Sequence, residues 1–175
     1  MILSKRVIDL LLAGFFLIIF SPLILILIVL IHLDSRGKAW LKLERVGKDG
    51  QVFYIYKLRT MYPGSKDITA LGKYLRKLGL DELPQLINII KGEMSLVGPR
   101  PEIPEIVSSY TPREKERLKV PPGLTGLWQV SPYRKEPIHH HLEYDLEYID
   151  KSSPLYDLKI VVRTLMWFWK GLTTS

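Results

Sequence analysis

From Val7 to Ile31 almost every position is apolar, whereas after Asp34 short apolar rows alternate with charged ones. The first run, VIDLLLAGFFLIIFSPLILILIVLIHLD over residues 7–34, holds about 25 residues before its charged end and would measure roughly 37 Å as a straight helix, against roughly 30 Å of bilayer hydrocarbon. It is long enough for a tilted span. It is too long for a cleaved leader, and no small-residue cleavage site precedes Asp34. Ser21-Pro22 falls at its middle, where proline removes a helical hydrogen bond and crowds the carbonyl four residues back. The run therefore predicts either a kinked span or a helix broken at Ser21-Pro22 that enters one leaflet and leaves by the same face. In both, the Ser21 hydroxyl is free to satisfy the orphaned carbonyl. Lys5 and Arg6 precede the run, and Arg36, Lys38, Lys42, Arg45 and Lys48 follow it, which favours two cytoplasmic ends. Charge and breaker position leave the two paths in balance. Asp9, near the interface, suits either.

Beyond Asp34 the periodicity shortens. In ERVGKDGQVFYIYKLRTM, Lys48-Asp49-Gly50 separates Arg45-Val46 from Val52–Tyr56 and predicts a β-hairpin with Asp-Gly as the turn signal. Little other strand signal follows. Residues 69–78 and 83–91 predict helices, the second burying Leu83, Leu86, Ile87 and Ile90, with Gly79 between them. SLVGPRPEIP and PPGLTGLWQV are too rich in proline and glycine for regular structure and predict loops, separated by a charged helical stretch near Arg113–Lys119. Residues 142–150 predict another helix. The last row carries Leu158, Val161, Val162, Leu165, Met166, Phe168 and Trp169 among Lys159, Arg163 and Lys170; it predicts a helix in the membrane interface or in a core. The fold expected is mostly α with one small β-hairpin, α+β, in which residues 1–34 anchor the chain and residues 35–175 form one domain.

Composition narrows the function classes. Of 175 residues none is cysteine, which excludes disulfides, thiolate metal sites and a cysteine nucleophile. Lys and Arg number 25 against 18 Asp and Glu, a net charge of +7, which beside an apolar anchor suits an anionic leaflet or a phosphorylated substrate. Nucleic acid ranks lower as a partner, because no recognition helix, zinc finger or aromatic RNA-binding signature accompanies the charge.

Candidate chemistry concentrates in LRKLGLDELPQL, where Asp81 and Glu82 precede a helix started by Pro84. The plain reading of such a pair is a helix cap. The neighbours widen it: Arg76 and Lys77 lie one turn upstream, and Lys57, Arg59 and Arg100 lie in segments free to converge. An ionised carboxylate beside phosphate-binding cations is equipment for phosphoryl transfer, with one carboxylate as nucleophile and another holding a hard divalent ion. Arg100, fixed between Pro99 and Pro101, offers a planar fork for phosphate or carboxylate; a structural ion pair accounts for it equally well. Gln129 suits a base or sugar edge, with a buried satisfied amide as the default. His139-His140-His141 is not a metal site on this pattern, since consecutive side chains diverge. Neither GxGxxG, GxxxxGK[ST] nor GxSxG occurs.

KLRTM (57–61), LDELPQLINIIKGEMSLVGPRP (80–101), PPGLTGLWQV (121–130) and YDLKI (156–160), in this order, resemble the bacterial sugar transferases, and more narrowly the small monotopic phosphoglycosyl transferases. The resemblance covers nearly the whole chain, including the Ser-Pro break, and the reaction it implies tips the reading of residues 1–34 to a re-entrant membrane anchor hinged at Ser21-Pro22, with the C-terminal amphipathic helix in the membrane interface. It implies transfer of a sugar 1-phosphate from a UDP-sugar to polyprenyl (undecaprenyl) phosphate at the cytoplasmic face of the bacterial inner membrane. Such a step opens exopolysaccharide, capsule, O-antigen or glycoprotein assembly. It further implies Asp81 as the nucleophile that forms an aspartyl phosphosugar, Glu82 as the holder of Mg²⁺, and Arg76 and Arg100 as phosphate or nucleotide contacts. Asp157 would support the site, and Lys57, Arg59 and Gln129 would contribute to substrate binding. Membrane lipids are the implied surroundings; the oligomeric state is open, a homodimer being one option. Three departures stand out: Gly79-Leu80 before the dyad, Pro121 before PGLTG, and Ser131-Pro132-Tyr133-Arg134 where the family has an Asn-Gly-Arg pattern. On the family pattern, Arg134 would stand in for the displaced arginine.

Two other classes compete. A membrane-bound nucleotide-sugar or phosphate hydrolase would use the same carboxylates with water as acceptor, and an anchored binding module would use them as a cap alone.

Overall fold

The computed structural model describes residues 3–173, with side chains from Ser4 to Trp167, so those of Phe168, Trp169 and Lys170 lie outside the described residues. A single helix, α1 (Leu3–Asp34), runs through Ser21-Pro22 without an interruption in its assignment. The expected break is thus no gap in helical structure. The reason is local: Pro22 cannot bond Ile18 O, and the Ser21 hydroxyl donates to that carbonyl at 2.9 Å.

One face of α1 is buried at Ala13, Ile24, Leu27 and Ile31, with Leu17 half-buried between them, while Leu11, Ile18, Leu25 and Leu33 point outward together with Ser21 and Pro22. That spacing keeps one face in phase over the whole helix. Its first half packs on Phe53, Ile55, Leu86, Ile89 and Met94, its second on Ala39, Leu58 and Leu75. Polar groups pin both ends. Near the start, Lys5 pairs with Asp157, Arg6 donates to Ile89 O at 2.6 Å, and buried Asp9 accepts from Ser95 Oγ (2.7 Å) and Leu96 N (3.1 Å). At the far end, Arg59 donates to Ile31 O and Ser35 Oγ. Asp9 is therefore a tether to the domain, where the sequence suggested an interfacial residue.

The hairpin is present and longer than its pattern showed: β1 (Trp40–Val46) pairs antiparallel with β2 (Val52–Leu58), from Val46 opposite Val52 to Trp40 opposite Leu58. Helix α2 (Ala70–Lys77) starts at Thr69, whose side chain accepts from Gly72 N at 2.9 Å. The next predicted helix divides into a 3₁₀ turn (Leu80–Gln85) and a short α3 (Leu86–Lys91). Because a 3₁₀ turn advances three residues per turn, the buried face rotates: Leu86 and Ile89 are buried, whereas Ile90, expected inside, is exposed. Asn88 is also fully buried, accepting from Tyr56 N at 3.1 Å and donating to Tyr54 O at 2.7 Å, which locks α3 onto β2.

SLVGPRP and PGLTG, read as loops, contain two short parallel strands, β3 (Ser95–Val97) and β4 (Gly123–Thr125). The approach is so close that a Cβ on Gly123 would lie 2.1 Å from Gly98 N. The glycines taken as loop formers are what lets two backbones touch. α4 (Pro104–Ser108) follows β3. The charged stretch expected to be helical is a 3₁₀ turn (Glu114–Lys119), and α5 (Glu143–Lys151) and α6 (Pro154–Thr173) complete the chain. α6 buries Ile160 and leaves Leu155, Leu158, Val162, Leu165 and Met166 exposed.

Candidate active site

Asp81 and Glu82 occupy the first turn of the 3₁₀ segment, entered through Gly79 at φ 62°. Glycine suits this left-handed position, which gives a physical reason for the first departure from the family pattern. Side chains alternate along β2, so Lys57 continues the core-facing row of Phe53 and Ile55 and carries an ammonium to the end of it. Lys57 Nζ lies 2.9 Å from Asp81 Oδ2 and 3.0 Å from Glu82 Oε1, and Arg100 Nη2 lies 2.9 Å from the same Glu82 oxygen. Three chain segments far apart in sequence thus meet on one pair of carboxylates. Asp81 is nearly buried and Glu82 largely so.

Burial pushes the Glu82 carboxyl up, but the charges of Arg100 and Lys57 and their hydrogen bonds outweigh it and hold it at about 2. Glu82 is ionised throughout the physiological range. Its charge in turn raises the Arg100 pKa against burial. Two further arginines lie within the field of this network. Arg45, at the end of β1, is lowered by burial and then by Arg100, and raised by Glu102 and Glu82; Arg134 is lowered by burial and Arg100 and raised by Glu82. Lys57 and Arg100 formally balance Asp81 and Glu82, and Glu102 is set against Arg45, so the charge of Arg134 is left in excess.

The other expected residues go elsewhere. Arg76 Nε donates to Thr60 Oγ1 at 2.8 Å, and buried Arg59 donates to the backbone of Ile31, Ser35 and Arg36, so its fork clamps the chain leaving α1. Asp157 accepts from Lys5, and the Tyr148 hydroxyl, with its single proton, lies within hydrogen-bond distance of both Asp157 Oδ1 (2.8 Å) and Val97 O (2.9 Å), joining α6 to α1 and β3. Gln129 is not the satisfied amide taken as default: both its amide atoms are buried without a hydrogen-bond partner, as is Trp128 Nε1. Such groups cost about 1–3 kcal/mol each when unpaired. His141 faces Glu136 (2.8 Å) and Glu143 (3.3 Å), while His139 and His140 rings meet edge on.

Residues that the sequence pattern did not single out support the site from behind. Arg117 and Asp145 form a buried pair, and Arg117 also donates to Tyr110 OH at 2.8 Å and to Arg100 O. The Arg117 guanidinium thereby fixes the backbone of the residue that grips Glu82. Their only sequence signal was a charged residue in each of two helical stretches, which solvated faces share.

As for a divalent ion, Glu82 offers an ionised carboxylate whose Oε1 is committed to Lys57 and Arg100, and the described residues hold no group of three or more His, Asp or Glu fit for a metal. That donor set suits a hard ion completed by substrate phosphates and water, in the manner of magnesium, and not an all-protein cage.

A paired carboxylate dyad ringed by cations, carried on a domain whose long helix turns an apolar face outward, suits a protein that acts on a phosphorylated substrate. A family model described as bacterial sugar transferase matches residues 1–171. The exopolysaccharide production protein ExoY of Rhizobium meliloti is 35% identical, over 93% of this chain and 84% of that protein. The UDP-glucose:undecaprenyl-phosphate glucose-1-phosphate transferases of Caulobacter vibrioides and Escherichia coli are 38% and 34% identical, each over 93% of this chain and over 68% and 39% of their own lengths. The chain belongs to the bacterial sugar transferase family, and it is an enzyme of the transferase type.

Proposed function

We propose that this enzyme moves a sugar 1-phosphate from a UDP-sugar to a polyprenyl phosphate, releasing UMP and opening assembly of a membrane-linked glycan. The observation that carries the reading is the Lys57–Asp81–Glu82–Arg100 network. In the first half of the exchange an Asp81 carboxylate oxygen forms a bond to the β-phosphorus. The bond from that phosphorus to the bridging oxygen breaks, and UMP leaves with the electron pair. In the second half an oxygen of the lipid phosphate attacks the same phosphorus, the bond to Asp81 breaks, and the carboxylate returns. Lys57 and Arg100 hold the carboxylates in place and lessen their repulsion of the incoming diphosphate. Glu82 is the residue that would hold Mg²⁺, which when bound neutralises charge on the phosphates.

The reading extends to the membrane. Both ends of α1 are tied to the same domain, Lys5 and Asp9 at one and Ile31 at the other, which supports a monotopic anchor seated in one leaflet over a helix crossing between compartments. The outward apolar rows of α1 and α6 are the surfaces such an anchor presents. UDP-sugar comes from the cytosol and the lipid phosphate lies at the headgroups, so the cytoplasmic face of the inner membrane is where the substrates meet.

Incubation of the full-length protein with Mg²⁺, radiolabelled polyprenyl phosphate and a panel of UDP-sugars, beginning with UDP-glucose, tests the proposal by measuring UMP and lipid-linked sugar together. Equal yields of the two support it. UMP or phosphate without lipid product means a hydrolase, and no turnover means a binding module. Asp81→Asn is expected to abolish transfer and the covalent intermediate alike, and activity surviving in it would remove Asp81 as nucleophile.

A further inference from the structure

Arg134 differs from the other cations of the site. Lys57 and Arg100 spend donors on Glu82, whereas among the described residues no carboxylate pairs with Arg134. Its guanidinium carbon lies instead 3.1 Å from the centre of the Trp167 ring. Trp167 continues the row of α6 that faces the domain: Ile160 is buried, and Thr164, one turn on, bonds Thr125 of β4 through its hydroxyl at 2.8 Å. The opposite row of α6, with Leu158, Val162, Leu165 and Met166, is apolar and exposed. Arg134 therefore touches the helix that carries an apolar outer row, while its charge reaches Glu82 and Arg100.

Stacking uses the face of a guanidinium and leaves its edge, where all five N–H donors lie, open for a planar, bidentate partner. The partner best suited to this position has a phosphate head and a long apolar chain: the head meets the guanidinium edge, within the field of Glu82, while the chain passes around α6 to its exposed apolar row.

We infer that Arg134 binds the phosphate of the lipid acceptor and acts in the second half of the exchange, not the first. The inference rests on the transfer reaction proposed above. In that step an anionic phosphate oxygen forms a bond to the phosphorus held on Asp81 and the Asp81 oxygen leaves as carboxylate, so two anionic groups must approach, and a cation fixed beside them offsets their repulsion.

The two halves are measured separately on the full-length protein. Exchange of labelled UMP into UDP-sugar without lipid reports the first, and the dependence of product formation on polyprenyl phosphate concentration reports the second. Arg134→Ala is expected to exchange UMP within about twofold of wild type and to keep its KM for UDP-sugar, while KM for polyprenyl phosphate rises roughly 10- to 100-fold, the worth of a hydrogen bond to a charged group. Arg134→Lys, which keeps the charge and loses the planar fork, is expected to recover part of the loss and guards against a folding failure in the alanine variant. Slowed UMP exchange in Arg134→Lys, or an unchanged KM for polyprenyl phosphate in either variant, overturns the assignment. If wild-type protein neither exchanges UMP nor forms lipid product, the transfer reaction itself is wrong, and the role of Arg134 falls with it.

Discussion

Replacing Glu82 by Gln removes a charge that the fold holds ionised, and the cost is expected to depend on pH in a calculable way. The folded carboxyl stands at about 2 against an ordinary 4.5, so its depression is worth about 3 kcal/mol at about 1.36 kcal/mol per unit. A depressed carboxyl contributes its full stability above the unfolded value and loses it as pH falls through the folded one. Between pH 6 and pH 3 the loss integrates to about 2 kcal/mol, and the remainder disappears near pH 2. For a chain of 175 residues about 1 kcal/mol moves Tm by roughly 2–4 °C, so acidification to pH 3 should cost wild type roughly 4–8 °C through this group alone. Tryptophan-fluorescence melting in a nonionic detergent at both pH values, for wild type and Glu82→Gln, reads the difference. Wild type is expected to lose its advantage over the variant by that amount at pH 3. A gap that stays constant between the two pH values would mean that Lys57 and Arg100 do not hold Glu82 ionised.

Other perturbations probe the support of the site and the anchor. Arg117→Leu leaves Asp145 buried and unpaired, so it should destabilise by about 3–5 kcal/mol, with the Arg117→Leu/Asp145→Leu double variant regaining part of the melting temperature; equal losses would refute pairing as the cause. Gly123→Ala forces a Cβ to within 2.1 Å of Gly98 N and should abolish the β3–β4 contact, seen as loss of folded protein in detergent, while Gly50→Ala, at a hairpin turn with open space around it, should cost far less. Ser21→Ala deprives Ile18 O of its donor and should lower stability by about 1 kcal/mol, with no shift in Tm counting against a role for that hydroxyl. A cysteine at Ser4 should resist an impermeant thiol reagent in intact cells and react once the membrane is opened; labelling from outside would make α1 a span.

Local patterns carried much of the fold. The 25-residue apolar run, the Asp-Gly hairpin turn, the helices near 70–77 and 143–151 and the C-terminal helix all follow from periodicity and turn chemistry, which act between neighbours in the chain. Asp81 and Glu82 stood out for the same reason, as adjacent carboxylates before a proline. What adjacency cannot convey is which distant cation reaches them. Of the candidates Lys57, Arg59, Arg76 and Arg100, all equally charged and equally near a motif, only Lys57 and Arg100 pair with the dyad, because β2 alternation and the Arg117 contact aim them there while Arg59 and Arg76 bond other groups.

The amino-acid sequence by itself determined that a long apolar helix precedes a basic α+β domain, that a carboxylate pair starts a proline-bearing turn, and that Ser21 stands next to the proline whose lost bond it replaces. Each of these depends on residues within a few positions of one another. Tertiary structure alone decided that α1 lies along the domain with both ends tied down, that two glycine-rich segments form a parallel pair, and that Arg134 meets Trp167. Those outcomes depend on backbone approach and on charges brought together from residues tens of positions apart, and no spacing along the chain encodes them in isolation.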